Sequence, residues 1–448
     1  MKIKPTNMLL AAAVALAITT PASADKGSNT GSFGFEPIDG SANSADWDGT
    51  APWKLPEGFS QSVVSDETAL NIYGEGRDDW HDMNTVNETG KMAGRYLYRT
   101  HEVRLGNDDV WDAIGGTVSV VDLKTGKTKV IASDQDWTAL DGIRWTPWGT
   151  ILFAEETQNG RLFEMTLDKK DLMKAASVEV RPQVGLLGHE GIEIDAKGAV
   201  YMVDEHRGIT SGCFDSEGVQ LNPCGGGVYK FVADTYGDLT AGELFVMSVD
   251  GEDGTGNFHW AGPINPLNGR LAGTEAGGTS YQRPEDLEII GNTLYVAVTE
   301  GPRWDSNDDG LIDSKNDKEV FEGRVLAVDL DAMVVTNFIM PDVNVPVEIG
   351  KPGDEGHQSG WDSVDNLATS PDGKLIIIED NKPSDIWFAS TQTDENGASV
   401  DVSLFASLTD PGAEGTGIYF GKDPKTMFVN VQHSAAPDGD ATWAITKD

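Results

Sequence analysis

The sequence predicts an all-β fold, a six-bladed β-propeller with a metal site on its axis. Three observations predict it. Strand-like runs bounded by Gly, Asp, Pro and Asn recur along the 448 residues, and one pattern of polar and apolar residues occurs six times. The copies are spaced unequally, as loop insertions between the blades of a propeller would space them. A β-sandwich is the alternative, and the six-fold recurrence argues against it.

Each copy of the repeat begins with an acidic residue and continues through a short apolar strand, a turn, a second apolar strand and a further polar or acidic cluster. The acids that begin the six copies are Asp82, Asp141, Glu190, Glu285, Asp365 and Glu414. Inner strands line the central channel of a propeller, so these acids are predicted to form a ring around one axis. Five of the seven histidines also lie at repeat ends: His81, His101, His189, His206 and His433.

A ring of carboxylates predicts bound cations, because clustered carboxylates repel one another and would be neutralised unless cations compensate. Oxygen ligands in this number favour Ca²⁺, Mg²⁺ or Mn²⁺, and histidine together with glutamate admits iron or zinc. Taken singly, Asp365 or Glu414 would be interpreted as a solvated residue at a strand end. Their place in the ring favours a multi-metal site on the axis instead.

The first 24 residues are typical of a secretory signal peptide. Lys2 and Lys4 form its basic start, residues 8–20 its apolar stretch, and Ala22-Ser23-Ala24 its cleavage site. A membrane anchor would need about 20 apolar residues, and this run is shorter. We therefore expect a periplasmic or secreted protein.

The rest of the chain is predicted to form one domain. We expect a signal peptide over 1–24, a flexible N-terminal extension over 25–50 and a single β-propeller domain over 51–448. The last strand-like run, 441–446, is predicted to close the ring with help from the segment near 59–64. The only persuasive helical run is 168–175, DKKDLMKA.

The two cysteines, Cys213 and Cys224, lie eleven residues apart with Gly and Pro between and beside them. In an oxidising compartment such a pair predicts a disulfide that closes a loop. A metal-binding pair is the alternative, and it is disfavoured because no CxxC or CxH companion lies nearby.

A second candidate metal site is independent of the ring. Oxygen ligands stand at positions 1, 3, 5 and 9 of an EF-hand-type spacing, with Gly310 at position 6 and Asn316 at position 12. The four candidate ligands are Asp305, Asn307, Asp309 and Asp313. No helix pair flanks the segment, so we predict a stand-alone calcium loop, with an acidic solvent-exposed loop as the alternative.

Composition excludes several classes of protein. The chain carries 73 acidic and 33 basic residues, a formal charge of −40, so the basic footprint of a nucleic-acid binder is missing. The acidity indicates a saline exterior, bound cations or both. The sequence also contains no G-x-S-x-G, HExxH, P-loop or Rossmann motif. Any chemistry would therefore be assisted by metals.

Several segments, in order, resemble those of the PhoX-family alkaline phosphatases. They are Asp141-Gly-Ile-Arg-Trp-Thr146-Pro-Trp-Gly-Thr150, Glu155-Glu156, His189-Glu190-Gly191, Asp204-Glu205, Arg283-Pro-Glu285-Asp286 and Asn430-Val-Gln432-His433. The resemblance implies a propeller that hydrolyses phosphate esters at an axial cluster of calcium and ferric ions.

Residue roles follow from the resemblance by position. Glu155 or Glu156, Glu190, Asp204 and Glu285 resemble the metal ligands of the family, and Arg283 resembles its phosphate-contacting arginine. Asp141 stands where the family has an iron-binding cysteine, and the signal segment lacks the family's twin arginines. These departures favour a site loaded after secretion with calcium or another oxygen-preferring metal, with Fe³⁺ or a different transition metal as the alternative.

The resulting hypothesis is a secreted metal-dependent phosphatase that acts on phosphate monoesters or diesters, with Arg283 and Glu285 as catalytic residues and several Ca²⁺ ions as cofactors. The expected partner is a small phosphate ester; no nucleic acid or membrane is expected, and the protein is expected to be a monomer. Two alternatives remain: a calcium-dependent hydrolase of another bond, such as a lactonase, and a non-catalytic binding propeller stabilised by calcium.

Overall fold

The computed structural model describes residues 33–43, 45, 47–74, 77–206, 226–251, 253–300, 303–304, 318–319, 323–349 and 358–448. Several predictions fall on other residues. The signal peptide, the Cys213–Cys224 pair and the predicted calcium loop with Asp305, Asn307, Asp309 and Asp313 all lie outside the described residues.

The described residues form mainly short β-strands. In chain order these are β1 (Trp53–Lys54), β2 (Phe59–Asp66), β3 (His81–Val86), β4 (Tyr96–His101), β5 (Gly116–Asp122), β6 (Lys127–Asp134), β7 (Leu140–Trp145), β8 (Ile151–Glu155), β9 (Leu162–Asp168), β10 (Asp171–Val180), β11 (Ile192–Ile194), β12 (Val200–Asp204), β13 (Gly227–Thr235), β14 (Asp238–Val249), β15 (Gly256–Ile264), β16 (Gln282–Ile290), β17 (Thr293–Glu300), β18 (Arg303–Trp304), β19 (Lys318–Glu319), β20 (Arg324–Asp329), β21 (Val334–Ile339), β22 (Val364–Thr369), β23 (Leu375–Glu379), β24 (Asp385–Ala389), β25 (Val402–Leu408), β26 (Glu414–Phe420), β27 (Thr426–Gln432) and β28 (Ala441–Lys447).

Helices are few and short within the described part of the chain. They are α1 (Glu67–Leu70), α2 (Asp109–Ile114), α3 (Gly269–Glu275) and a 3₁₀ turn (Pro266–Asn268). Asp66 caps α1 and Asp108 caps α2, each accepting a backbone N–H with its side chain. None of the described helices is long and apolar enough to cross a membrane.

All described strands except the β18–β19 pair belong to six antiparallel blades, and a short pairing of β15 with β21 joins blades 3 and 4 into one nine-stranded sheet. Blade 1 is β3–β6, blade 2 is β7–β10, blade 3 is β11–β15, blade 4 is β16, β17, β20 and β21, blade 5 is β22–β25 with β1 added, and blade 6 is β26–β28 with β2 added. The innermost strands β3, β7, β11, β16, β22 and β26 contact one another in that order, and β26 returns to β3. The predicted all-β, six-bladed fold is confirmed.

The N-terminal strand closes the ring. β2 pairs antiparallel with β28, from Phe59 opposite Lys447 to Asp66 opposite Ala441. Blade 6 is therefore built from both ends of the chain. The prediction that the segments near 59–64 and 441–446 close the ring together is confirmed.

The hydrophobic core is a ring of clusters between neighbouring blades. Blades 1 and 2, for example, enclose Tyr98, Val118, Phe153 and Met165, all fully buried. Corresponding clusters occupy the other five interfaces among the described residues. Each blade has two apolar faces to bury, so no blade is stable without its neighbours.

The helix predicted over 168–175 is wrong. β9 ends at Asp168, the chain turns at Lys169 and Lys170, and β10 begins at Asp171. The Lys170 backbone N–H donates to Asp168 Oδ1 at 2.7 Å, which is the side-chain hydrogen bond of an Asx turn. A run of eight residues is too short for a stable isolated helix, so pairing with β9 determines its conformation.

The described part of the predicted flexible extension is packed on blades 5 and 6. Phe33 is only 2% exposed and its ring contacts those of Phe59, Phe388 and Phe420. The Ala42 backbone N–H donates to Ser407 Oγ at 2.7 Å. Its content of Gly, Ser and Asn predicts a flexible segment, but the aromatic contacts of Phe33 and the hydrogen bonds of Ser41 and Ala42 hold the described part on the blades.

We expect Phe33→Ala to lower the free energy of unfolding by about 3–5 kcal/mol, because the substitution leaves a cavity in an aromatic cluster. Urea denaturation followed by tryptophan fluorescence measures the change. Val400→Ala is the control. Val400 is 56% exposed, so this substitution is expected to change the free energy of unfolding by no more than about 0.5 kcal/mol. Equal stabilities of the two variants would contradict the packing of this segment.

Candidate metal centre

A cavity of about 110 Å³ lies at one end of the inner strands. Its described lining contains nine carboxylates, two arginines and one threonine. These residues are Asp82, Glu102, Arg104, Asp141, Glu156, Glu190, Arg283, Glu285, Asp365, Asp380, Glu414 and Thr416. All six acids that begin the sequence repeat are among them.

The repeat places these acids at equivalent points of the blades. In blades 1, 2, 4 and 5 the pairing of the innermost strand with its neighbour is irregular just at the acid: Asp82, Asp141, Glu285 and Asp365 each fall within a register shift. Such a bulge interrupts the alternation of a strand and redirects a side chain. It turns these carboxylates towards the axis.

Glycines after the acids allow the inner strands to approach closely. A Cβ on Gly142 would lie 1.9 Å from the Glu190 carbonyl oxygen, and one on Gly191 would lie 2.4 Å from Asp286 Oδ1. In acid-glycine pairs of the repeat such as Asp141-Gly142 and Glu190-Gly191, the second residue is therefore glycine because there is no room for a Cβ. A side chain there would force neighbouring blades apart at the cavity.

Two overlapping groups of carboxylates have oxygens within 4.8 Å of one another. One group is Asp141, Glu156 and Glu190, and the other is Glu190, Glu285 and Asp365. Glu190 belongs to both. Asp141 Oδ1 is buried and has no hydrogen-bond partner, so it is free to bind a cation. Oxygen-only donors in this number fit Ca²⁺ and other hard cations.

Burial makes the ionised form of these acids unfavourable. Desolvation, followed by repulsion from neighbouring carboxylates, raises the pKa of Asp82, Asp141, Glu190 and Asp365 well above the ordinary value. Burial raises the pKa of Glu285 to about 8, although Arg283 opposes the shift. Without cations the cavity therefore retains protons at neutral pH, and cation binding must displace them.

Two arginines lie among the acids. Arg104 pairs with both Glu102 and Glu156. Arg283 Nε donates to Glu205 Oε1 at 2.6 Å, and its Nη2 lies 3.0 Å from Glu285 Oε1. Each guanidinium group is fixed at the cavity by ion pairs.

The backbone of Arg283 has an uncommon conformation. Its φ is +52°, in the left-handed region that costs a non-glycine residue about 1–3 kcal/mol. Its backbone N–H donates to the His206 carbonyl at 3.1 Å. The surrounding structure thus stabilises a strained residue whose side chain reaches the cavity.

Two of the predicted metal ligands lie elsewhere. Glu155 accepts two hydrogen bonds from the Arg161 guanidinium, at 2.6 and 2.8 Å, and Asp204 accepts two from Arg270, at 2.6 and 2.7 Å. Neither carboxylate lines the cavity. Of the Glu155-Glu156 pair, the structure brings Glu156 to the cavity because consecutive residues at a strand end point to opposite sides.

The second half of three of the repeats also supplies cavity residues. Glu102 follows β4, Glu156 follows β8 and Asp380 follows β23. The sequence pattern marks these positions only as a polar or acidic cluster after the second strand. Glu102 and Asp380 could have been found by aligning those clusters, whereas Arg104 carries no repeat signal.

The histidines at the repeat ends do not line the cavity among the described residues. His81, His101 and His189 are fully buried behind it. Burial lowers the pKa of His101 to about 3 and that of His189 to about 4. Among the described residues the cavity lining therefore offers oxygen ligands, and His433 Nε2 lies 3.6 Å from Glu414 Oε1.

Residues 174–435 match the family model described as alkaline phosphatase PhoX, which covers more than half of the chain. Among curated proteins, none matches this sequence.

Solved structures also resemble this chain. Pseudomonas fluorescens PhoX, solved in complex with vanadate, a transition state analogue, has 18% identity and a TM-score of 0.59, with 92% of this chain and 98% of that one covered. The pyranose dehydrogenase PQQ domain of Coprinopsis cinerea has 9% identity and a TM-score of 0.48, with 89% and 97% covered. The aldose sugar dehydrogenase of Streptomyces coelicolor has 14% identity and a TM-score of 0.44, with 88% and 99% covered. At 18% identity, the first of these supports the propeller fold.

We expect the melting temperature of chelator-treated protein to fall as pH rises from about 4.5 to about 8. The folded cavity holds protons over this range that the unfolded chain has lost, as the raised pKa of Glu285 shows, so stability decreases with pH until these groups ionise. Differential scanning fluorimetry across this range measures it. Excess Ca²⁺ should flatten the slope, and a melting temperature that rises with pH in chelator would contradict the proton-retaining cavity.

Neighbouring glutamates provide a matched test of which carboxylate faces the cavity. Glu156→Gln should weaken Ca²⁺ binding by about tenfold or more. Glu155→Gln should leave Ca²⁺ affinity unchanged but lower the free energy of unfolding by about 2 kcal/mol, because it removes the charge that Arg161 contacts. Isothermal calorimetry and urea denaturation separate the two effects. If Glu155→Gln alone weakened Ca²⁺ binding, the assignment of strand faces would be wrong.

Proposed function

The chain belongs to the PhoX alkaline phosphatase family, and we propose that it is a secreted, metal-dependent phosphatase acting on phosphate monoesters, and on diesters as a second class, at the axial cavity. We propose further that Ca²⁺ is the main metal and that the protein works as a monomer in the periplasm or outside the cell. The signal-like N-terminus and the oxygen-only donor set support this proposal.

The observation that carries the proposal is the joint presence of nine carboxylates and Arg283 in one cavity. A phosphate ester is repelled by a chain with a formal charge of −40, and even more by this cavity. Bound cations reverse the local sign, so an anionic substrate can enter only after metals do. The carboxylates and the substrate then share the same ions.

The residues proposed to hold cations are Asp141, Glu156, Glu190, Glu285 and Asp365. When bound, such cations polarise a phosphoryl group and make an oxygen nucleophile available at neutral pH. The chain fixes these carboxylates before any ion arrives. Glu285 Oε1, for example, accepts from Thr299 Oγ1 at 2.7 Å.

Arg283 is the residue proposed to orient the substrate. Its guanidinium has the planar fork that matches two phosphate oxygens. Glu205 holds Nε, and Nη2 lies beside Glu285. Cations held by Glu285 would weaken its attraction for Nη2 and leave that edge of the fork available to the phosphate. Glu205 meanwhile keeps the side chain aimed at the cavity.

The experiment is hydrolysis of p-nitrophenyl phosphate and bis-p-nitrophenyl phosphate by protein secreted without a tag, before and after chelation and after addition of Ca²⁺, Mn²⁺, Fe³⁺ or Zn²⁺. We expect activity to vanish on chelation and to return with Ca²⁺, and elemental analysis should find bound metal. Absence of hydrolysis with every metal would overturn the phosphatase proposal and favour a binding propeller. Hydrolysis of lactones in place of phosphate esters would favour the alternative function, a calcium-dependent lactonase.

Arg283→Gln should lower kcat/KM for phosphate esters by about 100-fold, as removal of a preorganised donor to a developing charge does, while bound metal per chain stays unchanged. Arg95→Gln is the matched control, because Arg95 pairs with Asp122 away from the cavity. Steady-state kinetics and elemental analysis measure both effects. Equal activity of the two variants would show that Arg283 does not contact the substrate.

A further inference from the structure

Behind the axial cavity, blade 1 contains a second group of metal-ligating side chains. Asp79, His81 and His101 each offer a ligand atom within 4.8 Å of the others, and all three are at most 1% exposed. His81 and His101 are opposite each other in the register of β3 and β4. Each directly precedes an acid of the cavity, Asp82 or Glu102.

Several polar atoms of this group are buried without a partner. Both ring nitrogens of His81 and Asp79 Oδ2 lack a hydrogen bond, while the Tyr73 backbone N–H donates to the Asp79 carboxylate. A buried polar group without a partner costs free energy and is rare in folded proteins. A neutral imidazole carries one proton, so His81 offers one lone pair here and Asp79 Oδ2 offers another, and the ligand that accepts both is a cation.

The hydrogen bonds of His101 fit the same interpretation. Its Nδ1 lies 2.8 Å from the Asp79 carbonyl oxygen, and its Nε2 lies 2.8 Å from Ser119 Oγ. A carbonyl only accepts, so Nδ1 carries the proton, and the lone pair of Nε2 accepts the Ser119 hydroxyl, which a bound ion would replace. A histidine that donates its Nδ1–H to a carbonyl has the tautomer and the ring orientation of metal-binding histidines, with Nε2 as the ligand atom.

Arg99 is the one buried cation near the group in the described structure, and its donors are engaged by hydroxyls. Its Nε donates to Ser119 Oγ, its Nη1 to Thr442 Oγ1 and its Nη2 to Ser65 Oγ, at 3.1, 2.8 and 3.4 Å. Asp79 Oδ2 therefore remains available. Asp78, Asp440 and Glu67 lie close by, and burial raises the pKa of Glu67 to about 9, so Glu67 can lose a proton to offset the charge that a second cation adds.

We propose that Asp79, His81 and His101 bind one divalent transition-metal ion of the zinc class, separate from the axial cations. Two imidazole nitrogens with one carboxylate oxygen favour zinc-class ions over Ca²⁺, whereas the axial cavity offers only oxygens from the described residues. The site is fully buried, so its role is structural. It ties the segment before β3 to the ends of β3 and β4, which carry Asp82 and Glu102.

The test uses full-length mature protein without a polyhistidine tag. The protein is stripped with chelator, saturated with Ca²⁺ to fill the carboxylates, and then titrated with Zn²⁺. We expect about one equivalent of Zn²⁺ bound in the presence of excess Ca²⁺, an X-ray absorption spectrum with two imidazole ligands, and a raised melting temperature. A spectrum without imidazole scattering would overturn the proposal.

Variants separate this cluster from the other histidines. His81→Gln and His101→Gln should each abolish the imidazole-ligated Zn²⁺, while His189→Gln, His433→Gln and His357→Gln should leave it unchanged. Persistence of the site in folded His81→Gln protein, or its loss in any of the three controls while that control stays folded, would overturn the assignment. If neither His81→Gln nor His101→Gln folds, the test is the X-ray absorption spectrum of the wild-type protein together with Zn²⁺ binding by the three control variants. Phosphatase activity is not a readout here, so the result is independent of the proposed function.

Discussion

Repulsion among nine carboxylates that face one cavity is the constraint on which the rest of this structure depends. Each acid belongs to a blade whose position is set by apolar contacts with its neighbours. The free energy of this packing offsets the unfavourable burial of the carboxylates. Bulges turn the acids inward and glycines let the strands approach. Burial and mutual repulsion favour the protonated form of these acids, so the centre is stable either with protons retained or with cations bound.

Carboxylates at the strand ends around this centre have two different roles, which depend on the direction in which each side chain points. Glu156 and Glu190 present oxygens to the cavity, whereas Glu155 and Asp204 are neutralised by Arg161 and Arg270. The second kind holds strand ends in place through buried ion pairs. These pairs are neutral overall, so Glu155 and Asp204 add no charge to that of the acidic cavity.

The blade count, the closure of the ring and six cavity acids could be predicted from the sequence, because each blade repeats one pattern and the axis collects equivalent positions. The choice between Glu155 and Glu156 could not, since it depends on where a strand ends to within one residue. Nor could the conformation of 168–175, where pairing with β9 outweighs a local helical pattern, or the packing of Phe33, which depends on four aromatic residues distant in sequence.

The pairing of β2 with β28 has a consequence for the order of assembly. Strands from opposite ends of the chain must meet, and contacts so distant in sequence form slowly. During synthesis the N-terminal half is available first, but β2 pairs with a strand that is synthesised much later. Blade 6, which carries Glu414, therefore completes the acidic ring at the end of folding. A nascent chain consequently does not experience the full charge of the finished centre until the whole protein exists.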